Sequence, residues 1–500
     1  MALPTFYRRS AVAVSHALHG YDEEAITRRL DDVTVGVAFG SDATKSAEGL
    51  ALLDLVIRLV ARFYPRLSIL DGSGTDHGRE LAELARSINP LIDLVSSDDA
   101  SITVAAGAGA PRASSPEVFA GSNNWQGAVG TNAPLPVGVS SNPCGAGVSA
   151  ALAVANVFRH IFTPEIPLDE SAVLSALPTA DARAMSNNAW EIESTVLCGL
   201  GAVGQAAVWC LARCNLVGSL HVVDGESVEM DNLQRYVLTD SSSPGVLKTD
   251  IVARAFDGSL DIHLYPVQWA EFVAAHGYGW ENVLVAVDSA RARRQVQVGL
   301  PGWIGNAWTQ PGDLGVSRHR FNRGACLSCL YLPRSAGESE DAIIASALGL
   351  PEPANVMRIR ELLYRAEGAP RDLLELVAAR NQGIELAQIL HYEGHSLREL
   401  YREGFCGGTV LPIGKAGTPR ADVHVPLAHQ SALAGVLLAA SLLSQACGAK
   451  SPRSDVLRVD VMRPLPSCVV FQPVEAEANG PCICQDADYQ RRYKAKWLQE

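Results

Sequence analysis

The sequence predicts an α/β protein with two halves, each built on a mostly parallel sheet, and a helical insertion in the second half. Short apolar runs that end in glycine or aspartate alternate with helical patterns, which is typical of parallel β-α-β units. This order occurs twice along the chain. Between Ser335 and Glu403 only helical, charged-face patterns remain. We therefore predict two Rossmann-like halves and one all-helical insertion.

Length and composition agree with this organisation. At about 150 residues per domain, the 500 residues predict about three domains. The chain is 48% hydrophobic and 19% charged, which excludes a disordered protein. Its net charge of −13 argues against nucleic acid as the main partner, although a bound nucleotide or protein remains compatible.

The first half, predicted to cover residues 1–170, begins with a strand over Thr34 to Gly40. A helix follows from Ala47 to Tyr64, and a second strand ends at Asp71. A helix rich in small residues, Asn142 to Phe162, closes this half. The matching apolar segment of the second half, His429 to Ala446, is too short to span a membrane and is predicted to be a core helix. No membrane segment or targeting signal is expected, which favours the cytoplasm.

The second half contains a sharper nucleotide motif. A strand ending at Cys198 leads into G-x-G-x-x-G, formed by Gly199, Gly201 and Gly204, and then into a helix. Such glycines allow a tight turn, and the helix N-terminus offers free N–H groups to phosphate. Asp224 ends the next strand, where a carboxylate can accept ribose hydroxyls. These features fit an NAD-dependent oxidoreductase and an ATP enzyme equally well.

The residues that follow favour ATP. Asn232, Arg235 and Lys248 come after Asp224, and another strand ends at Asp288. Two cations so close to a ribose carboxylate are of little use to a dinucleotide enzyme, but they can spread the charge of a triphosphate. Asp288 stands where a carboxylate could hold Mg²⁺.

Together these motifs resemble the adenylation domain of the E1-like superfamily, which includes ubiquitin-activating enzymes and the bacterial ThiF and MoeB proteins. The family pattern is a glycine loop, D-x-D-x-V-E-x-S-N-L-x-R-Q, a lysine and D-N-x-x-x-R. The sequence departs from the pattern at Glu226, Asp231, Tyr236 and Ser289, and Tyr236 in place of glutamine is the largest change. The resemblance implies that ATP is bound by Gly199, Gly201, Gly204, Asp224, Asn232, Arg235, Lys248, Asp288 and Arg293, with Asp288 holding Mg²⁺.

The first half resembles the inactive partner domain of these enzymes, because it lacks the third turn glycine, an N-L-x-R sequence and the lysine. The resemblance implies an intrachain pseudo-dimer whose inactive half can lend an arginine to ATP. Candidates are Arg8 and Arg9 or Arg28 and Arg29, and the alternative is that these are surface arginines. The active half is predicted to cover residues 171–333 and 408–500.

Eleven cysteines cannot all form internal disulfides, because their number is odd. Their positions in the sequence indicate different roles. Two close pairs, Cys326 with Cys329 and Cys482 with Cys484, could supply four thiolates to a structural Zn²⁺, with a redox pair as the alternative. Close cysteine pairs occur at these two places in the superfamily. Four others, Cys198, Cys210, Cys214 and Cys447, are predicted to be core residues.

Cys406 is the candidate nucleophile. It ends the predicted insertion, residues 334–407, and two glycines follow it. In the superfamily a cysteine on a crossover segment attacks the acyl adenylate to form a thioester. The resemblance implies that role for Cys406 because of its place in the sequence, after the helical insertion. A structural thiol is the alternative. The charged tail, residues 486–500, is predicted to be a solvated terminal helix.

The sequence thus predicts an E1-like enzyme that adenylates a ubiquitin-like protein with ATP and Mg²⁺, captures it on Cys406 and passes it to a separate E2-like protein. The layout resembles E1 proteins of bacterial ubiquitin-like conjugation operons, including those of antiphage defence. A ThiF- or MoeB-type sulfur-carrier adenylyltransferase, an NAD-dependent oxidoreductase and a non-enzymatic scaffold are the alternatives. Further oligomerisation stays open.

Overall fold

The protein is described by a computed structural model that forms two compact units. The first contains Met1–Ser10, Glu24–Leu332 and Pro426–Glu500, and the second contains Ala11–Glu23 and Pro333–Val425. The described residues are 3–7, 10–11, 13–14, 23–96, 99–177, 189–256, 258, 260–310, 312–332, 340–365, 367–381, 384–401, 425–448, 453–466, 469–476 and 482–498.

The first half is built on a seven-stranded sheet with the order β3-β2-β1-β4-β5-β6-β7. The five strands from β3 to β5 are parallel, and β6 and β7 are antiparallel additions. The strand bounds are β1 (Val35–Phe39), β2 (Arg66–Asp71), β3 (Asp93–Leu94), β4 (Ile102–Ala106), β5 (Glu117–Asn123), β6 (Gln126–Gly130) and β7 (Ser171–Ser175).

Helices connect and cover this sheet. The Ser46 side chain accepts a hydrogen bond from Gly49 N and so caps the start of α3, whose apolar face is buried. The helices of this half are α1 (Glu23–Asp31), α2 (Ser41–Thr44), α3 (Ala47–Val60), α4 (His77–Ile88) and α5 (Cys144–Phe162).

The second half repeats the same topology in an eight-stranded sheet, β10-β9-β8-β11-β12-β13-β14-β15. Its strands from β10 to β12 are parallel, and the last three are antiparallel. The repeated order confirms the prediction of two Rossmann-like halves. The bounds are β8 (Trp190–Cys198), β9 (Leu216–Val223), β10 (Asp261–Tyr265), β11 (Asn282–Val285), β12 (Trp303–Gln310), β13 (Asp313–His319), β14 (Asp455–Val459) and β15 (Val469–Pro473).

The helices of the second half alternate with the parallel strands and resume after the insertion. Before the insertion come α6 (Ala202–Leu211), α7 (Lys248–Ala253), α8 (Trp269–His276), α9 (Ala290–Val298) and α10 (Leu327–Leu330). The insertion contributes α11 (Glu340–Ala347), α12 (Pro353–Arg365), α13 (Arg371–Arg380), α14 (Leu386–Ile389) and α15 (Leu397–Glu399). The chain ends with α16 (Ala428–Ala446) and α17 (Ala487–Trp497).

The described residues of the second unit have a core of their own, as the predicted helical insertion requires. Apolar side chains spaced three and four apart on α11, α12 and α13 are buried together, among them Ile344, Ile359, Leu373 and Val377. Cys406, the predicted nucleophile, lies outside the described residues. The domain boundaries placed by sequence remain predictions.

The two halves meet along α5 and α16, the small-residue helices predicted for each half. A Cβ on Gly147 would lie 2.7 Å from Val436 Cγ2 and 3.0 Å from a Trp209 ring carbon, so only glycine permits this approach. Within the described part of the chain, α5 is the one helix long and apolar enough to cross a membrane, but 94% of that apolar stretch is buried inside the protein. The prediction of a core helix after His429 is confirmed, because α16 is buried almost throughout.

Candidate functional site

The glycine motif forms the turn between β8 and α6. Gly199 has a φ of +94°, a conformation that favours glycine. A Cβ on Gly204 would lie 2.1 Å from the Gly199 carbonyl oxygen, so this position also requires glycine. Gly201 precedes α6 without a capping side chain, which leaves the first N–H groups of the helix available to an anion.

The Asp224 side chain stabilises this turn through hydrogen bonds to the backbone. It follows β9, and its carboxylate accepts hydrogen bonds from Leu200 N at 2.7 Å and from Glu226 N at 2.9 Å. Burial raises the pKa of Asp224, and the charge of Lys248 partly opposes that shift. The carboxylate predicted to bind ribose therefore also holds the glycine loop in place.

Lys248 begins α7 and lies beside the same carboxylates. Its side chain is 5% exposed, and Nζ lies 2.5 Å from Glu226 Oε2. Burial by itself would lower the pKa of Lys248, but Tyr236, Asp224 and Glu226 raise it further than burial lowers it. The ammonium group therefore stays charged next to the glycine loop.

Asn232 and Arg235 lie on a short 3₁₀ turn, Met230–Asn232, and the residues after it. Asn232 Oδ1 accepts a hydrogen bond from Glu229 N at 3.1 Å, which closes the turn. The Arg235 guanidinium carbon lies 5.5 Å from the centre of the Tyr236 ring. The structure thus places the Arg235 guanidinium beside the Tyr236 ring.

Tyr236 is the site residue that motif matching missed. Its hydroxyl lies 3.6 Å from the point that a Cβ on Gly201 would occupy, and the centre of its ring lies 5.4 Å from Lys248 Nζ. The signal was present in the sequence, because Tyr236 is the largest departure from the family pattern. A departure does not by itself reveal that the new side chain faces the glycine loop.

Asp288 and Arg293 occupy the turn from β11 into α9 and its first residues. Asp288 is exposed, whereas Arg293 is buried, and burial lowers the pKa of Arg293. Arg293 donates hydrogen bonds to the carbonyl oxygens of Val287 and Ala307 and to Asn306 Oδ1. Its guanidinium therefore holds the turn that carries Asp288. Among the described residues Asp288 belongs to no group of three or more possible protein ligands, so Mg²⁺ there would depend on phosphate oxygens and water.

The N-terminal arginines are placed only in part. Phe6 packs with Val228 and Leu233, which flank the 3₁₀ turn, and with Ile251 of α7. Arg8 and Arg9 lie outside the described residues, and Arg28 and Arg29 are exposed at the end of α1.

An arginine that the sequence did not single out connects the halves. Arg62 follows α3 of the first half and is completely buried. It donates hydrogen bonds to the carbonyl oxygens of Leu233 at 2.7 Å, Val237 at 3.1 Å and Thr239 at 2.5 Å. Burial lowers the pKa of Arg62 to about 9, so it remains charged at neutral pH. The first half thereby supports the segment that contains Arg235.

The four cysteines predicted to bind zinc lie together. Their Sγ atoms are all within 4.8 Å of one another, and Cys326 Sγ is 3.4 Å from Cys482 Sγ. The distance from Cys329 Sγ to Cys484 Sγ is 3.5 Å. Four thiolates around a tetrahedral Zn²⁺ are about 3.8 Å apart, given Zn–S bonds of about 2.3 Å. These residues could therefore hold a metal ion.

The tail and one cysteine differ from the predictions. Tyr493 of α17 is buried among the zinc-site cysteines and donates a hydrogen bond to Gly302 O at 2.9 Å. The helix predicted for the tail is confirmed, and most of its residues are exposed or half-buried. The prediction missed only that its aromatic face packs on the second half. Cys198, Cys210 and Cys214 are buried as predicted. Cys447 is exposed, contrary to prediction, because it lies just beyond the end of α16.

Comparisons with known proteins show the family of the chain. Residues 179–471, more than half of the chain, match the model of the ThiF family, so the chain belongs to the ThiF family. Residues 38–163 match a model described as "Prokaryotic E2 family C", which the motifs did not indicate.

Among full-length relatives, "Uncharacterized protein y4jF" of Sinorhizobium fredii is 38% identical over 99% of this chain and 98% of its own length. "Adenylyltransferase and sulfurtransferase UBA4" of Eremothecium gossypii is 30% identical over 27% of this chain. The chain spans only 32% of that relative. E. coli MccB, solved with MccA, is a structural neighbour with a TM-score of 0.36 and 13% identity, covering 59% of this chain and 67% of MccB.

Proposed function

We propose that this ThiF-family protein is an E1-like enzyme that uses ATP to adenylate the C-terminal carboxylate of a ubiquitin-like protein. The observation that carries the proposal is the buried, charged Lys248 next to the carboxylate of Asp224, which itself holds the glycine loop. A buried cation at a helix N-terminus suits a polyphosphate.

The proposed first step is attack of the substrate carboxylate on the α-phosphorus of ATP. A phosphorus–oxygen bond to the substrate forms, the bond to the bridging oxygen breaks, and pyrophosphate leaves with the electron pair. The α6 N-terminus and Lys248 would bind the phosphates, and Arg235 would offset the charge that develops on the leaving group. Asp288 would hold Mg²⁺, which shields the phosphate oxygens and polarises them.

The proposed second step is thioester formation at Cys406. The thiolate attacks the acyl adenylate, the carbon–oxygen bond to AMP breaks, and AMP leaves. An E2-like protein would then take the acyl group. Cys144 is the only cysteine in residues 38–163, and it is completely buried. We therefore propose that the E2-like partner is a separate protein, although this segment matches the prokaryotic E2 model.

A sulfur-carrier adenylyltransferase of the ThiF or MoeB type is the second candidate. It is favoured by the UBA4 relatives, whose names combine adenylyltransferase with sulfurtransferase. Such an enzyme would end with a thiocarboxylate and would not require Cys406. An NAD-dependent oxidoreductase is disfavoured by Lys248, because a dinucleotide reaction gains little from a buried cation at this position.

The proposed enzyme would also contain a structural metal ion and would work in a particular cellular setting. Zn²⁺ would be held by Cys326, Cys329, Cys482 and Cys484 as a structural ion. The two halves would act as an intrachain pseudo-dimer in the cytoplasm. A role in a bacterial ubiquitin-like conjugation pathway, including antiphage defence, follows only from the layout of the chain.

The decisive experiment is ATP–pyrophosphate exchange with candidate ubiquitin-like proteins. We expect wild type and Asp261→Ala, a control at another exposed aspartate, to exchange, and Asp288→Ala to lose exchange. Exchange that survives in Asp288→Ala would remove the Mg²⁺ assignment. Absence of exchange in wild type with every carboxylate partner would refute adenylation.

The thioester step needs a separate measurement. Cys406→Ala should keep exchange but lose a thiol-sensitive conjugate of the ubiquitin-like protein. Cys447→Ala, which replaces an exposed cysteine, should keep both. A conjugate that persists in Cys406→Ala places the nucleophile elsewhere, and a thiocarboxylate product supports the second candidate.

A further inference from the structure

We propose that the Tyr236 hydroxyl donates a hydrogen bond to a phosphate oxygen of the bound nucleotide, which makes Tyr236 a phosphate-binding residue of the active half. This inference rests on the proposed function, because it assumes that the glycine loop binds ATP.

The location of the hydroxyl is the first argument. Around a Cβ built on Gly201, the Tyr236 hydroxyl oxygen at 3.6 Å is the only atom within 4 Å that the described residues provide, apart from the chain neighbours of Gly201. That direction is otherwise open, in contrast to Gly204, where a Cβ would meet the backbone at 2.1 Å. Gly201 precedes α6, so the open space adjoins the free N–H groups of the first turn. The hydroxyl therefore borders the place where an anion would bind.

The bonding state of the hydroxyl is the second argument. Tyr236 is only 4% exposed, yet its hydroxyl is not one of the fully buried side-chain atoms left without a partner. Among the described residues no hydrogen bond is assigned to this hydroxyl, and a phenol group that is largely removed from water usually finds a partner. A phosphate oxygen at the α6 N-terminus would be such an acceptor, because the hydroxyl lies beside Gly201.

The surrounding charges are the third argument. Lys248 Nζ lies 5.4 Å and the Arg235 guanidinium carbon 5.5 Å from the centre of the Tyr236 ring. The ring therefore lies within 5.5 Å of two cations, both of which can interact with its π face. The Tyr236 hydroxyl would contact the same polyphosphate that Lys248 and Arg235 attract.

The chemistry differs from that of the family pattern, which has glutamine at this position. A glutamine amide both donates and accepts hydrogen bonds, whereas a tyrosine hydroxyl reaches farther on a rigid ring. The substitution keeps a donor at the loop, so a phosphate contact is retained by different means.

The test is the affinity of the full-length chain for ATP and for adenosine, measured by calorimetry on Tyr236→Phe. This change removes only the hydroxyl. We expect ATP affinity to fall about tenfold or more, because the lost bond is made to a charged group. Adenosine affinity should stay unchanged, since adenosine has no phosphate, and that result also verifies that the variant is folded. The control is Tyr493→Phe, which loses a buried hydroxyl far along the chain and should bind ATP as wild type does.

The outcomes separate this inference from the proposed function. Equal ATP affinity in wild type and Tyr236→Phe would overturn the role of the hydroxyl while leaving adenylation intact. Equal weakening of ATP and adenosine would also overturn it, because the effect would then be structural. A wild-type chain that binds ATP without pyrophosphate exchange would refute the proposed function, and the Tyr236→Phe comparison would still decide the phosphate contact.

Discussion

Arg62 shows how one side chain of the first half can support the second half. Its guanidinium donates three hydrogen bonds to the carbonyl oxygens of Leu233, Val237 and Thr239, all in the segment after Asn232. Backbone carbonyls that are buried need such partners, and here the first half supplies them. Arg58 is a second donor to Val237 O, at 2.9 Å. The first half thus supports the active site without contributing a glycine loop of its own.

Arg62→Met should therefore affect both stability and nucleotide binding. The carbonyls of Leu233 and Thr239 would lose their donor, whereas Arg58 still donates to Val237 O at 2.9 Å. The free energy of unfolding should therefore fall by about 2–4 kcal/mol. The KM for ATP in the exchange reaction should rise, because Arg235 follows the first of these carbonyls. The control Arg79→Met, whose side chain is 69% exposed, should change neither quantity. A wild-type unfolding midpoint in Arg62→Met would show that these bonds contribute nothing.

At the scale of elements, the turn between β8 and α6 and the cysteine cluster are built differently. The turn is local, because Gly199 and Gly204 contact each other across five residues. The cluster joins α10 and its preceding turn to the 3₁₀ turn Ile483–Gln485, and α17 covers it with Tyr493. A bound ion would therefore fasten the C-terminal segment to the second half.

We expect the purified protein to contain about one zinc ion per chain by elemental analysis. Cys482→Ser should lose the metal and lower the melting temperature, because metal binding here would be coupled to packing of α17. The matched control is Cys447→Ser, an exposed cysteine outside the cluster, which should retain the zinc. Zinc content that is unchanged in Cys482→Ser would contradict the assignment of all four ligands.

At the scale of the molecule, the two halves meet at a seam formed by α5 and α16. This seam contains buried polar groups. The His429 ring of α16 is 5.8 Å from the Phe158 ring of α5, centre to centre. Burial lowers the pKa of His429 to about 3, and the charge of Arg159 acts in the same direction. The seam therefore holds an imidazole that must remain neutral for the halves to stay packed.

This imidazole should make the protein less stable in mild acid. The unfolded chain takes up the proton near pH 6.5, whereas folded His429 stays neutral down to about pH 3. Stability is therefore lost as the pH falls below about 6.5, by about 2 kcal/mol between pH 7 and pH 5. His429→Leu should lose less stability over this interval in denaturant unfolding than wild type does. His395→Leu, at an exposed position, serves as the control, and equal slopes in all three proteins would exclude His429 as the cause.

Much of the architecture was predictable from short-range patterns. Strands that end at Asp71 and Asp224, and the glycines at Gly199, Gly201 and Gly204, are read from neighbouring residues, because turns and parallel strands impose local requirements. The four clustered cysteines were also predicted as one possible metal site, since each pair is close in sequence. Arg62, Tyr236 and the packing of α17 were not, because their partners lie far away along the chain.

The sequence by itself determined the α/β class, the duplication and the set of nucleotide-motif residues, because periodicity and glycine spacing act within a few residues. Only the tertiary structure decided that Arg62 of one half holds the motif segment of the other, and that Tyr236 faces the glycine loop. It also decided that Arg293 holds the turn carrying Asp288. The physical reason is that a buried donor is assigned to its acceptor by packing across elements, and no local pattern records that pairing.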